Sequence, residues 1–187
     1  MTFDFAAARV NMVESQVRPS DVTDVAIHDA MRAIAREDYC PGKPHLAYAD
    51  AEVEYAPGRW LLRPRDLAKL LQVIAPRPGE RALAIAAPYA AEVLRRIGLA
   101  VEEGEPDGEF EPGAYDVIVC EGAVAEAPSA WLSALARGGR LGVIERAGPV
   151  GKAKVYLRSD EDLGARTAFD ATPPFLPGFQ PRKSFAF

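Results

Sequence analysis

Residues 115–121, Tyr-Asp-Val-Ile-Val-Cys-Glu (YDVIVCE), are a β-branched run that follows a Pro112-Gly113 turn, and they read as a strand. Downstream, Pro128–Ala136 has a helical pattern punctuated by Gly138-Gly139, and Arg140–Glu145 (RLGVIE) is a further strand. Upstream, Arg81–Ala86 (RALAIA) reads as a buried strand, Ala90–Ile97 as a helix and Leu99–Glu103 as a second strand. Short apolar runs alternating with helices specify a parallel sheet with crossover helices, so residues 80–187 are expected to be an α/β core. Ala153–Arg158 and Arg166–Ala171 are two more candidate strands before a Pro-rich end.

Residues 1–79 have the helical period instead. A first helix is expected over Phe3–Gln16, interrupted by Arg18-Pro19, and a second runs from a cap at Asp21 or Thr23 to about Ala35. Pro41, Gly42 and Pro44 open a loop, and Ala47–Ala56 reads as irregular or extended. A third helix, Pro64–Ile74, ends where Pro76, Arg77, Pro78 and Gly79 forbid continuation. The expectation is one domain, 1–187, with an N-terminal helical cap over 1–79 and the α/β core over 80–187.

At 187 residues, 49% hydrophobic and 26% charged, the chain is long enough to bury a core without staples. A net charge of -5 gives no general attraction to nucleic acid or anionic lipid, so neither is an expected partner. The most basic stretch, Arg59–Lys69, contains Asp66 and lies on a helical pattern, which makes it a solvated face. Cys40 and Cys120 lack the paired spacing of a zinc site, and no metal is expected. Two reduced thiols, no apolar run of about 18 residues and no signal-peptide pattern at the N-terminus lead to the expectation of a cytoplasmic protein. His28, His45 and Cys120 fit packing or surface roles, having no triad partners at a recognisable spacing.

Six segments in order resemble the bacterial branch of the protein-L-isoaspartate O-methyltransferases: MVESQVRPSDVTD, MRAIAREDYCPGKPHLAYAD, GRWLLRPRDLAKLL, YDVIVCEGAV, LARGGRLGVI and FDATPPFLPGF. The resemblance runs nearly end to end. It implies a Rossmann-like class I methyltransferase fold with an N-terminal helical cap on the substrate side. It also implies S-adenosylmethionine as cofactor and methylation of isoaspartyl carboxylates in protein repair.

Against that pattern the chain departs in three places. The family resembles G-x-G-x-G after the first strand, preceded by an acid, because backbone must pass close to the cofactor. Here the stretch is Ala84-Ile85-Ala86-Ala87-Pro88-Tyr89, without glycine or acid. Glu102 or Glu103 stands where the family's ribose-binding acid is expected, although both also read as exposed loop acids. Roughly a dozen residues separate Glu103 from Tyr115, too few for another helix and strand, so a shortened sheet is expected. The Glu102–Pro112 stretch reads as an acidic loop with no apolar face. Finally, Leu62 stands at the family's serine position, two residues before Pro64, and cannot donate a hydrogen bond.

The candidate cofactor-side residues are therefore Ala86, Ala87, Glu102, Glu103 and Glu121, if a cofactor binds at all. Glu121 lies at a strand's C-terminal end, where ligands sit in such sheets, or faces water there. The expected function is a degenerate pseudoenzyme that no longer binds S-adenosylmethionine in the usual way and acts through a protein partner or self-assembly. The alternatives are an active isoaspartyl methyltransferase and a binder of a different small ligand above Ala86, Glu121 and Gly122. Trp60, Trp131, Phe175, Phe179, Phe185 and Phe187 are candidates for an aromatic contact surface. The edge vacated by the missing strand predicts a homodimer paired through the sheet.

Overall fold

A computed structural model describes residues 4–160 and 162–182 of the chain. In the core, strands β3 (Arg81–Ile85), β4 (Ala100–Gly104), β5 (Tyr115–Val124), β6 (Leu135–Glu145), β7 (Lys152–Arg158) and β8 (Leu163–Asp170) form one sheet. Their order is β4-β3-β5-β6-β7-β8, parallel from β4 to β6 and antiparallel from β6 to β8. Alternation explains why the parallel strands read as unbroken apolar runs. Ala82, Ala84, Val117 and Val119 join one cluster, while Leu83, Ile85, Ile118 and Cys120 join the other.

The first cluster is covered by α1 (Phe5–Met12), α2 (Val25–Ala33), α3 (Pro64–Ile74) and α4 (Pro88–Ile97). The second is covered by α5 (Ser129–Ala134), whose Trp131 is 0% exposed. Helix α3 starts with Pro64 in its first turn, where a missing N–H costs nothing. It buries Leu67, Leu70, Leu71 and Ile74 completely, each contributing about 1.5–3 kcal/mol of transfer free energy. Towards the N-terminal ends of the parallel strands, opposite the candidate site, Arg140 bonds the Ile74 and Ala75 carbonyls and the half-buried Glu80, tying the end of α3 to β6.

The sheet is shortened as expected: residues 105–114 return from β4 to β5 with neither helix nor strand, so β4 forms one edge. Strand order reverses at β3, which has β4 on one side and β5 on the other. Such a switch point is where open α/β sheets present ligand sites, beyond the strands' C-terminal ends.

Several expectations need correction. Pro19 does not interrupt the first helix. A π turn, Val13–Val17, and a 3-10 turn, Arg18–Ser20, carry the helical path past it, because a proline near the start of a fresh turn forfeits no required donor. Asp24, rather than Asp21 or Thr23, caps α2 by accepting from the Ala26 and Ile27 amides. Ala47–Ala56, read as irregular or extended, is both: strand β1 (Val53–Ala56) is its extended part and pairs with β2 (Arg59–Leu61) as a hairpin around Pro57-Gly58. The basic stretch is therefore a strand before it becomes α3, and Arg59, Arg63 and Arg65 pair with Glu105, Glu52 and Asp50. Glu102 and Glu103 lie in strand β4, as the Leu99–Glu103 strand reading has it, rather than in the acidic loop that begins at Glu102 in the other reading. Of the aromatic surface candidates, Trp131 is internal and Phe175 and Phe179 are half-buried against the core, whereas Phe185 and Phe187 lie outside the described residues.

Candidate functional site

The turn leaving β3 lies at the switch point. Ala86 has φ +47, a left-handed conformation that costs an L-residue roughly 1–2 kcal/mol. Glycine is the residue that would relieve it, so the backbone has a shape that suits glycine while the residue is alanine. The Ala86 carbonyl accepts a 3.0 Å hydrogen bond from Tyr55 Oη, which reaches over from the β1–β2 hairpin. Ala86→Gly is expected to stabilise the fold by about 0.5–1 kcal/mol, the strain relieved less the entropy that glycine adds to the unfolded chain. A denaturant midpoint that rises at constant m would record it.

Glu121 lies within β5, three residues before its end, and neither faces water nor lines the open cleft, which corrects both readings of it. Its side chain is 0% exposed, and its oxygens accept from Leu62 N at 2.6 Å and Ala90 N at 3.2 Å. Ala90 is in the first turn of α4, so the carboxyl caps the helix whose N-terminus would otherwise point a free donor at a ligand. Burial raises the Glu121 pKa to about 7, against the lowering influence of Arg36 and the two amides. Leu62 is 0% exposed; its side chain is core, and its contribution to this junction is the backbone N–H.

On the β4 side, both acids are engaged. Glu102 accepts from Tyr115 Oη at 2.7 Å, and Glu103 pairs with Arg95 at the same distance. Arg95 also donates to the Val101 carbonyl, which places a guanidinium over the short edge that the sequence offered for dimer pairing. Charges on an edge are a common device against strand addition. The returning segment is not an apolar-free loop, because the Phe110 ring packs on Gly104, where a Cβ would come within 2.6 Å of it. Pro106 is buried, and its carbonyl accepts from Trp131 Nε1 at 3.0 Å. With no further strand to cover this side, Phe110, Pro106 and Trp131 fill the space themselves.

The C-terminal segment closes the remaining side. Pro174 and Leu176 bond to both backbone groups of Ala123, and Leu176 packs on Gly122, which has φ +123. Pro177 lies against Gly58 of the hairpin turn, and Phe179 packs on Trp131 with centroids 5.8 Å apart. The crevice expected above Gly122 is thus filled. Tyr89 turns away from it into the cap, 0% exposed, under the Arg36 guanidinium.

What stays open is a cleft of about 220 Å3 lined by Tyr55, Ala84, Ala86, Ala87, Pro88, Glu103, Gly104 and Glu105. It is bridged at its rim by the Arg59–Glu105 ion pair. Of the sequence-nominated residues, Ala86, Ala87 and Glu103 line this cleft, whereas Glu102 and Glu121 do not. Among the described residues no cluster of His, Cys, Asp and Glu is placed to hold a metal, and no helix is long and apolar enough to cross a membrane.

Sequence reasoning missed Tyr55, Phe110 and Arg36. The hairpin that delivers Tyr55 was legible in the Pro57-Gly58 turn between VEYA and RWL. Phe110 and Arg36 carry no local signal, since what buries them comes from distant segments.

No family model matches the chain. It is 32% identical over 165 residues to the protein-L-isoaspartate O-methyltransferase of Methylorubrum populi, covering 72% of this chain and 78% of that one. It is 31% identical over 168 residues to protein-L-isoaspartate O-methyltransferase 1 of Rhodopseudomonas palustris, covering 73% and 69%. Among solved structures, a Plasmodium falciparum protein described as a protein-L-isoaspartate O-methyltransferase, in complex with S-adenosyl-L-homocysteine, superposes with a TM-score of 0.74 over 94% of this chain and 99% of that one at 14% identity. Another protein-L-isoaspartate O-methyltransferase superposes with a TM-score of 0.68 over 91% and 66% at 18% identity. At such identities the two structures speak for the fold alone.

Proposed function

Because this chain belongs to the protein-L-isoaspartate O-methyltransferase family, we propose that it is a pseudoenzyme of that family: a methyltransferase scaffold that no longer holds S-adenosylmethionine in the usual way and works by binding a protein. The observation that carries this reading is the closure of the switch point by the chain's own groups. The Ala86 carbonyl is taken by Tyr55, the first turn of α4 by Glu121, the Gly104 face by Phe110 and the Gly122 face by Leu176. The remaining cleft, about 220 Å3, is smaller than the roughly 300–1,000 Å3 usual for ligand pockets. A glycine cradle, by contrast, works by leaving backbone N–H groups uncovered and side chains absent.

The residues that remain do not fit S-adenosylmethionine in that pose. Ala86 and Ala87 present methyl groups where backbone would have to approach, Pro88 has no N–H, and Glu103 is paired with Arg95. Isothermal titration with S-adenosylmethionine and with S-adenosylhomocysteine is expected to show no binding tighter than about 100 µM, which corresponds to roughly 5.5 kcal/mol. Tighter binding of either compound would return the chain to the family's methyl-transfer chemistry.

A further inference from the structure

The two edges of the sheet differ. Arg95 lies over β4, whereas β8 is the last strand on the other side and no described residue pairs with its outer edge. Ser159 N donates to the Asp162 carbonyl at 2.8 Å, so 159 and 162 are a hydrogen-bonded pair at the start of the β7–β8 ladder. Such pairs recur at every second residue, and the register carries them to Leu157↔Gly164 and Val155↔Arg166. The backbone groups of Ala165 and Thr167 therefore face away from β7, with no partner among the described residues. Gly164, Ala165, Arg166 and Thr167 are all exposed. The register then shifts between Ala153 and Lys154, and this bulge bends β8 and ends its straight run at Thr167.

Beside that edge, on the α3 face, runs an open groove of about 340 Å3, within the range usual for binding sites. Val155 and Leu157 of β7 and Val73 of α3 line it, and Leu157 is 49% exposed. Opposite Leu157 stands Gly164, whose would-be Cβ has no heavy atom within 4 Å. The two cations of the groove are unequal. Arg140 is engaged by Glu80 and the α3 carbonyls, whereas Arg166 makes one 3.3 Å bond to the Val73 carbonyl and no ion pair among the described residues. One turn earlier on α3, Lys69 lies 4.6 Å from the Phe169 ring centroid, also with no acid partner among the described residues.

We propose that β8 is where the chain binds its protein partner, taking an extended acidic and apolar segment of that partner as a seventh strand of the sheet. This rests on the reading above that the chain works by binding a protein, and it names the place. Unpaired backbone N–H and C=O groups along an edge select an extended strand. Every second side chain of the added strand lies on the α3 face, one opposite Gly164 and the next opposite Arg166. An apolar side chain at the first position covers Leu157. A carboxylate at the second meets a guanidinium that has no acid of its own. In an antiparallel strand the acid comes first and the apolar residue two places later.

The probe is the blocked peptide acetyl-Thr-Glu-Val-Leu-Thr-amide, titrated into the full nitrogen-15-labelled chain. Amide shifts are expected at residues 163–167, with half-saturation at about 1 mM or below. Replacing the peptide's glutamate by lysine turns attraction into repulsion and is expected to weaken binding roughly tenfold. Gly164→Val fills the groove with a residue that strands favour, so it is expected to keep the denaturation midpoint and lose the binding. Arg166→Glu, at an exposed position, is expected to invert the preference between the two peptides. These readouts do not involve S-adenosylmethionine, so cofactor binding would end the pseudoenzyme reading without touching them. No shifts on β8 at about 1 mM peptide, equal affinity for the lysine peptide, or undiminished binding by the Gly164→Val chain would each overturn the proposal. A dimer in sedimentation that Gly164→Val dissociates would give the edge to a second copy and overturn it likewise.

Discussion

Trp131→Ala is expected to lower the unfolding free energy by about 3–5 kcal/mol, a large share of the roughly 5–15 kcal/mol that holds a domain of this kind together. The side chain is 0% exposed, packs on Phe179 and donates to the Pro106 carbonyl. Its loss opens a cavity on the face of the sheet beside the missing strand and leaves a buried carbonyl unpaired. Trp131→Phe separates the two contributions. It keeps most of the apolar volume and removes the donor, so about 1–3 kcal/mol is expected. Urea denaturation at unchanged m reads both. An alanine variant within about 1 kcal/mol of wild type would mean that segment 105–114 is not held by Trp131.

Gly122→Ala is expected to cost about 2–5 kcal/mol. Part is backbone, because φ at +123 suits glycine, and part is steric, because the new Cβ would lie 2.9 Å from Leu176 Cγ. A double-mutant cycle with Leu176→Ala isolates the steric part, since the smaller side chain makes room for the added methyl. Gly113→Ala is a clash-free comparison at a milder positive φ: φ is +70 and no heavy atom lies within 4 Å of its would-be Cβ. An equal loss at both glycines would show that the C-terminal segment is not seated on β5.

The two variants bear on the proposed function as well as on stability. Each loosens a group that closes the switch point, and neither supplies the glycine turn. Ala86→Gly introduces one glycine and leaves Tyr55, Glu121 and Phe110 in place. If closure by several groups is what excludes the cofactor, no single one of these changes creates binding, whereas a lone defect at the turn would be repaired by Ala86→Gly.

The six strands and the boundaries of α3 were legible because each is a local pattern. Parallel strands covered on both faces must be apolar throughout, as at Val117–Cys120, and α3 lies between a starting Pro64 and the Pro76–Gly79 stop. The missing strand was legible from arithmetic, since the chain between Glu103 and Tyr115 is too short to hold a helix and a strand. The absence of glycine from Ala84–Tyr89 could likewise be read directly.

What took the place of these features was decided only by the tertiary structure. Glu121 reads in the sequence as an acid at a strand's end, with no sign that Leu62 and Ala90, 59 and 31 residues away, would enclose it. Phe110 reads as one aromatic in an acidic loop until Gly104 leaves room for its ring. Periodicity and turn chemistry are short-range, so they set the strands, the helices and the vacancy in the glycine turn. Burial and the filling of space are long-range, so only the folded chain determines that the vacancy is closed from within.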